Sequence, residues 1–510
     1  MEKTSKLSSA PFSASKVEMW HDDYDVVVVG FGAAGACAAI EAAGAGVRVA
    51  LFERSSGSGG ASGLSDGEIY FGGNGGTPAQ RGAGFEDDTE DFRRYLLMAG
   101  GPDADEAKVD CYARESLAHY CWLVDQGVPF KGTYLPGKIV APETDDTLIW
   151  SGNEAAWPYC DRAKPAPRGH AVQHVGRNAG RTLMDRLEAK VRALGVEVRC
   201  NARVSSLIMS DDPQEIRGIV VQEGGSPRHI RARRAVVLCT GGFCLNQDMV
   251  RRHAPATIRL NDPMGDRCDG NGIMMANGIG AETVHMDEVQ VTCPWYPPES
   301  LVKGIFVNMN GQRFINEDCY HGRVSRMALD QPGDRIFLLV DAKSYAQTCD
   351  AARIEIAATG ETWAEVEAEL AMPPGMLTGT VEFFNRHAAV GKDPMWHKAA
   401  KWLAPLDEPP FVALELRIGY SAFIFVTLGG LNTTVDGEVL RADGSRIPGL
   451  FAAGRATSGL PRTGYGYSSG MSLADCTFFG RRAGVAAAGQ PDRQPAADGA
   501  CDNVTAHAIG

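Results

Sequence analysis

A continuous apolar run at residues 25–29 is the first strong pattern along the 510-residue chain. Val-rich runs of this kind are typical of a strand that is buried on both faces. A Gly-x-Gly-x-x-Gly motif follows at residues 30–35, and the Ala-rich stretch after it predicts a helix. A second apolar run at residues 47–52 ends at Glu53. The pattern therefore predicts a strand–helix–strand unit of an α/β fold.

The glycine motif in this setting predicts a dinucleotide site. Its first glycine permits a tight turn, the second lets the backbone approach a pyrophosphate, and the third lets helix and strand pack closely. The helix N-terminus offers free amides to phosphate, and an acid at the end of the second strand accepts ribose hydroxyls. The contacts expected from this unit are Gly30, Gly32, Ala33, Ala34, Gly35, Glu53 and Arg54.

Three later segments favour FAD over NAD. A glycine-serine loop lies at residues 54–67, a buried strand at residues 235–239 runs into Thr-Gly-Gly, and another strand ends at residues 452–454. Such turns return the chain to a dinucleotide and bring backbone amides to it. With the C-terminal glycine turn, these segments give the further expected cofactor contacts Gly60, Ala61, Ser62, Thr240, Gly241, Gly242, Gly454, Gly470, Ser472 and Leu473. Val204, outside these segments, is also expected to contact the cofactor.

Composition and charge narrow the protein class. Hydrophobic residues make up 44% and charged residues 22%, as in ordinary globular proteins. The net charge of −13 argues against nucleic acid as a partner. The 13 cysteines include no Cys-x-x-Cys pair, so we expect reduced thiols and no metal site. Residues 1–20 read as a flexible tail rather than a signal peptide, and no transmembrane segment is expected, so we expect a cytoplasmic protein.

The segments in this order resemble the flavoprotein family of fumarate reductase and succinate dehydrogenase. The resemblance includes "GNGIMMANGIGAE" from residue 270, "VNMNGQRFINE" from residue 307 and "TLGGLNTTVDGEVL" from residue 427. It covers nearly the whole chain. It implies an FAD-dependent oxidoreductase whose active site lies between two domains.

The resemblance also implies a domain layout. A Rossmann-like FAD-binding domain at residues 21–280 and 421–510 would be interrupted by an α+β capping domain at residues 281–420. Within the cap, "TWAEVEAELAM" predicts an amphipathic helix and "RIFLLVD" a strand. Succinate dehydrogenases attach FAD through an early histidine, and this chain has no histidine between His21 and His119. We therefore expect FAD to be bound without a covalent bond.

The chain departs from that family where fumarate reductases bind a dicarboxylate. In fumarate reductases an arginine of the C-terminal motif binds the substrate, and Tyr467 stands at that position here. The proton-donating arginine of those enzymes would fall within residues 318–321, which contain no arginine. The histidine of their "QxHP" motif is replaced in "QVTCP" at residues 290–294. A bidentate carboxylate clamp is therefore not expected. Arg323 and Arg462 lie close by in sequence and remain candidates for the lost roles.

The replacements resemble the 3-ketosteroid dehydrogenase branch of the family, and most of all its Δ4-(5α) enzymes. The resemblance implies that Tyr467 hydrogen-bonds the ketone at steroid carbon 3. It implies that Ser469 takes the β-proton from carbon 4, while Tyr320 assists it and relays the proton to solvent. Flavin N5 would take the hydride from carbon 5. Serine is a poor base alone, so the relay is required, and His321 remains an alternative to Tyr320.

The expected substrate is therefore a 3-keto-5α-steroid, and the sequence leaves the electron acceptor and the oligomeric state open. Aromatic clusters at residues 148–160 and 293–299 are candidates for the walls of a flat apolar pocket. Tyr465 is expected to be structural. The alternatives are a Δ1-dehydrogenase of the same branch, a reductase of unsaturated acids, and a flavin-binding protein without turnover.

Overall fold

The structure is a computed structural model that describes residues 10–212, 214–260, 262–263 and 268–493. Its helices are α1 Ala33–Gly44, α2 Gly60–Gly63, α3 Pro78–Gly82, α4 Thr89–Gly100, α5 Glu106–Asp125, α6 Ala179–Ala193, α7 Gln247–His253, α8 Asn271–Asn277, α9 His321–Ala328, α10 Trp363–Glu369, α11 Met376–Ala388 and α12 Met471–Ala488. Its strands are β1 Phe12–Ser13, β2 Asp22–Val29, β3 Val49–Phe52, β4 Glu68–Tyr70, β5 Leu148–Ile149, β6 Gly169–Ala171, β7 Glu197–Arg199, β8 Arg203–Met209, β9 Ile216–Glu223, β10 Ser226–Leu238, β11 Asp262–Pro263, β12 Thr283–Val284, β13 Val289–Thr292, β14 Ile305–Asn308, β15 Arg335–Val340, β16 Glu355–Gly360, β17 Phe411–Arg417, β18 Ile424–Thr427, β19 Gly430–Leu431, β20 Glu438–Leu440 and β21 Arg446–Ala452.

The largest sheet in the described part of the chain has the order β1-β8-β9-β10-β2-β3-β7, with β21 on β10 and β20 on β21. Its centre is parallel, since β2 pairs in parallel with both β3 and β10. The predicted strand–helix–strand unit is present as β2, α1 and β3. Helix α1 carries small side chains, and the C-terminal helix α12 packs closely against it. The predicted α/β fold is confirmed.

Strand β10 is longer than the sequence pattern indicates. Its last residues, 235–238, form the expected buried parallel strand beside β2 and β21. Residues 226–231 instead pair antiparallel with β9, and the register on β2 shifts between Ala232 and Ala235. The first half of the strand alternates polar and apolar residues because only one of its faces is buried.

Residues 305–417 build a separate four-stranded sheet in the order β14-β15-β17-β16. Helices α10 and α11 lie with it around their own apolar cluster. The predicted cap helix and cap strand are confirmed as α10 and β15. Strand β13 precedes this region in the chain and β18 follows it. The two strands pair with each other antiparallel where the chain enters and leaves the region. The cap boundaries at 281 and 420 stay a prediction.

The described part of the expected N-terminal tail contributes to the large sheet. Phe12 and Ser13 pair in parallel with Ile208 and Met209 at the edge of the sheet. Residues 1–9 of that tail, and residues 494–510 of the expected FAD domain, lie outside the described residues. Within the described ranges, no helix is long and apolar enough to cross a membrane.

Candidate active site

Two adjoining cavities lie where the ends of the parallel strands meet α12. The dinucleotide cavity, of about 420 Å³, is lined by the glycine motif, the end of β3 and the turns after β10 and β21. The tyrosine cavity, of about 360 Å³, is lined by the glycine turn before α12 and the loop before α9. Both are of a size that is usual for ligand sites. They share the lining residues Ala61, Ser62, Leu64, Arg455 and Cys476.

Most of the predicted cofactor contacts line the dinucleotide cavity. These are Gly30, Gly32, Ala33, Ala34, Glu53, Arg54, Gly60, Ala61, Ser62, Val204, Thr240, Gly241 and Gly454. Gly470, Ser472 and Leu473 line the tyrosine cavity instead, together with Ala61 and Ser62.

Gly35 and Gly242 line neither cavity and serve packing. A Cβ on Gly35 would lie 1.9 Å from the carbonyl oxygen of Gly30, so α1 packs against its strand only with glycine there. A Cβ on Gly242 would lie 2.2 Å from Thr427 Oγ1. Both glycines therefore have a packing role, and their contact with the cofactor stays a prediction.

The polar groups of the dinucleotide cavity fit FAD. Glu53 Oε2 accepts from the Phe31 N–H (2.8 Å) and Glu53 Oε1 from the Ser55 N–H (2.8 Å), which holds the acid at the end of β3. The buried Oγ1 of Thr240 has no hydrogen-bond partner among the described residues. Because Thr240 lines this cavity, its hydroxyl can hydrogen-bond the cofactor. The helix N-terminus at Ala33 adds amides for a phosphate.

The three predicted catalytic side chains meet in the tyrosine cavity. Tyr320, Tyr467 and Ser469 all line it, and the two tyrosine rings lie 6.4 Å apart between centroids. The Tyr467 hydroxyl donates to Ser472 Oγ (3.0 Å). Burial raises the pKa of both phenols, that of Tyr320 well above its usual value. Both therefore remain protonated donors at neutral pH.

The backbone of Ser469 is fixed from both sides. Its N–H donates to the Ser151 carbonyl (2.9 Å), and Ser151 Oγ donates to the Ser469 carbonyl (3.0 Å). Its own hydroxyl donates to Glu68 Oε2 (2.9 Å). Sequence reasoning missed Glu68, which follows the glycine-serine loop and opens β4. Only its position at the end of that loop could have pointed to it.

Gly470 permits the close approach that puts Ser469 beside Glu68. Its φ of +94° is unfavourable for other residues, and a Cβ there would lie 2.9 Å from the backbone nitrogen of Tyr70. The Tyr70 N–H donates to the Gly470 carbonyl (3.2 Å). Gly470 is also the N-cap of α12, so the first turn of that helix, whose amides have no partner within the helix, begins at the cavity.

Asn153 joins the two tyrosine segments and was not identified from the sequence. Its Oδ1 accepts from the Tyr320 N–H (3.0 Å), and its Nδ2 donates to the Tyr467 carbonyl (3.4 Å). The side chain is fully buried. Asn153 lies in the aromatic cluster at residues 148–160, which is a candidate for a pocket wall on the sequence alone. Asn153 itself holds the two tyrosine segments together.

His321, the alternative to Tyr320, also lines the tyrosine cavity. Burial lowers the pKa of His321 to about 3, helped by Lys138 and Arg177. The Tyr296 hydroxyl lies 3.4 Å from its Nδ1. The ring is therefore neutral at physiological pH, and its protonated form is strongly disfavoured.

Arg323 and Arg462, the two remaining candidates for carboxylate ligands, bind groups outside the tyrosine cavity. Arg323 donates to the Trp157 carbonyl (3.2 Å), and Arg462 pairs with Asp105 (2.8 Å). Arg177 does line the cavity, but it pairs with Asp66 (2.7 Å). Glu68 and Asp66 line the same cavity.

Comparison with known proteins agrees with the cofactor geometry. The FAD binding domain family matches residues 25–471, most of the chain. The chain belongs to this FAD-binding family. FAD is its cofactor, and the dinucleotide cavity contains most of the residues that the glycine motif predicted.

Similar proteins include oxidoreductases of two kinds. The flavoprotein is 29% identical to a probable fumarate reductase of Shewanella frigidimarina, over 94% of this chain and 81% of that one. It is 27% identical to a 3-oxo-5-alpha-steroid 4-dehydrogenase of Comamonas testosteroni, over 87% and 94%. A crystal structure of 3-ketosteroid-delta4-(5alpha)-dehydrogenase from Rhodococcus jostii RHA1, in complex with 4-androstene-3,17-dione, has a TM-score of 0.89 and 43% identity, and the match covers 94% of this chain and 100% of that chain.

Proposed function

We propose that this flavoprotein is a 3-ketosteroid dehydrogenase that introduces a carbon 4–carbon 5 double bond into 3-keto-5α-steroids. One observation supports this most directly: Tyr320, Tyr467 and Ser469 line one cavity that adjoins the FAD cavity. The similarity to the Rhodococcus jostii enzyme extends over nearly the whole chain, and that enzyme binds a steroid in its crystal structure.

Each side chain has a distinct task in this reaction. Tyr467 donates to the ketone oxygen and stabilises the enolate that forms when a proton leaves carbon 4. An amide at the start of α12 is a second donor to that oxygen. Ser469 receives the proton from carbon 4, and Tyr320 assists it from the cap side. Bound FAD supplies the acceptor for the hydride of carbon 5.

The unsaturated-acid reductase is the weaker alternative for a structural reason. Its substrate needs cationic partners. Arg323 and Arg462, the two candidates for binding a carboxylate, bind other groups of the protein instead. A Δ1-dehydrogenase needs a base on the other side of the ketone, beside carbon 2, and its hydride leaves carbon 1. The similarity to the Rhodococcus jostii Δ4-(5α) enzyme, at 43% identity, supports carbon 4 as the site of proton loss.

Three further properties belong to this proposal. FAD is held without a covalent bond, residues 281–420 form the cap, and the protein works in the cytoplasm. Buried free thiols at Cys37, Cys239, Cys293 and Cys319 support a reducing compartment. The substrate is the 3-keto-5α-steroid, and a separate acceptor reoxidises the flavin.

Anaerobic titration of the purified yellow protein with 5α-androstane-3,17-dione tests the function. We expect the flavin absorbance to bleach and the steroid product to be the 4-ene-3-one. A 1-ene product would assign the protein to the Δ1 reaction. Flavin that stays oxidised with the steroid, but is reoxidised by fumarate after chemical reduction, would identify a reductase of unsaturated acids.

A further inference from the structure

We propose that Glu68 accepts the proton that leaves steroid carbon 4, taking it through Ser469. This inference rests on the proposed function and deepens it, because it names the base that a serine needs behind it. A serine hydroxyl can receive a proton only if it passes its own proton on at the same time. Glu68 is the carboxyl group to which the Ser469 hydroxyl donates.

The hydrogen bond between Ser469 and Glu68 gives the proton a direct path from the serine to the carboxyl group. Ser469 Oγ lies 2.9 Å from Glu68 Oε2, within ordinary hydrogen-bond distance. Glu68 Oε1 is buried and has no hydrogen-bond partner among the described residues. Glu68 itself is 7% exposed and lines the tyrosine cavity. A buried carboxyl with one free oxygen at a cavity wall has room to hold a proton.

Burial gives Glu68 the affinity for a proton that this role needs. It raises the pKa of Glu68 to about 8, and Asp66 adds to the rise while Ser469 and Arg177 oppose it. The phenol of Tyr320 interacts electrostatically with the same carboxyl group. About a tenth of the Glu68 groups are then ionised at pH 7, and most are above pH 8.

The two other candidates for the proton are less suitable. Tyr320 is a neutral phenol whose pKa is raised well above its usual value, so it can only relay a proton to a further acceptor and cannot be the final one. Neutral His321 has a pKa of about 3, and protonating it in this cavity is costly. Tyr320 keeps its position as a donor near the steroid, and Glu68 receives the proton.

The proton-transfer step balances without another reactant. The carbon 4–hydrogen bond breaks and its proton bonds to Ser469 Oγ. The original Ser469 proton moves to Glu68 Oε2, and the electron pair of the broken bond enters the enolate, whose oxygen Tyr467 binds. The acid then loses its proton towards solvent past Asp66 and Arg177, whose side chains are 23% and 52% exposed.

The pH dependence of anaerobic flavin bleaching by 5α-androstane-3,17-dione tests the role. In the wild type, we expect the rate constant to rise about tenfold per pH unit below pH 8 and to level off above it. Glu68→Gln is nearly isosteric and cannot accept the proton, so it should lower the rate at pH 8 by about a hundredfold or more. Its residual rate should show no rise near pH 8.

Matched variants separate a proton acceptor from a structural group. Asp66→Asn removes a like charge beside Glu68, so the midpoint of the pH profile should move to lower pH. In a Ser469→Ala background, Glu68→Gln should cause little further loss, because the two residues act as one unit. Glu154→Gln, at another buried carboxyl with a raised pKa, should leave the pH profile unchanged.

A steroid-independent measurement keeps the result interpretable if Glu68→Gln binds FAD poorly. The infrared difference spectrum of wild type minus Glu68→Gln should show a carboxylic acid band that disappears near pH 8. A normal pH profile in Glu68→Gln, or a carboxyl that is ionised at pH 5, would overturn the role of Glu68 while the dehydrogenase assignment stands. Absence of any steroid reaction in the wild type would overturn both.

Discussion

The two cavities recognise their ligands by different means. The dinucleotide cavity is built largely from backbone and small side chains of one local unit, β2–α1–β3, and of the turns that return to it. The tyrosine cavity depends on large side chains from distant segments, around residues 68, 153, 320 and 467–473. Local geometry therefore defines the first cavity, whereas the second exists only after the whole chain has folded.

This difference explains why the cofactor is common to a family while the chemistry varies. A dinucleotide site formed by backbone groups needs glycine, small residues and one acid, and it tolerates substitutions in the rest of the chain. The reaction depends on which side chains project from the glycine turn and the loop before α9. Tyr467 and Ser469 there support enolate chemistry, whereas arginine at such positions supports carboxylate binding. Each prediction below alters one cavity and leaves the other intact.

The largest effect is expected from Gly35→Ala, which disrupts the dinucleotide cavity. The added Cβ would lie 1.9 Å from the Gly30 carbonyl oxygen, so the glycine motif must shift and bound FAD should be lost with all turnover. Gly44→Ala in the same helix is the control, since nothing lies within 4 Å of its added Cβ. Flavin absorbance per mole of purified protein measures both. A fully yellow Gly35→Ala protein would contradict the packing role.

A smaller, purely chemical effect is expected from Tyr467→Phe in the tyrosine cavity. It removes the donor to the enolate oxygen and should lower kcat by roughly 10²–10³-fold while FAD remains bound. Tyr465→Phe on the same turn is the matched control, because its hydroxyl binds Asp330 near the surface (2.6 Å). Single-turnover rates on both variants measure the effect. Equal rates would remove Tyr467 from the reaction.

The smallest effect is expected from Asn153→Leu, which loosens the tyrosine cavity without removing a reacting group. Losing both bonds to the tyrosine segments should lower kcat by about 10- to 100-fold, with KM changed less. Asn385→Leu is the control, because Asn385 also bridges backbone groups, both on Leu406, in the expected cap. Steady-state kinetics distinguish the two. A change in KM alone would give Asn153 a role in binding rather than in positioning.

The same contrast governs what sequence reasoning could predict. The strand–helix–strand unit and the cap elements α10 and β15 follow from local patterns, and the structure confirms them. The match to the FAD binding domain family confirms the FAD cofactor. Glu68 and Asn153 were missed because their roles depend on contacts with residues 401 and 167 positions away. The packing of Gly35 follows from its place in the glycine motif, whereas that of Gly242 depends on Thr427, which is far away in the chain.

The fate of deuterium placed at the 4β position of 5α-androstane-3,17-dione tests the central claim most directly. The account holds that Ser469, at the wall of the tyrosine cavity, takes this hydrogen as a proton while the hydride leaves carbon 5. It predicts a 4-ene-3-one without deuterium, and a rate that is slower than with unlabelled steroid. A 4-ene-3-one that retains the deuterium, or a 1-ene product, would contradict it.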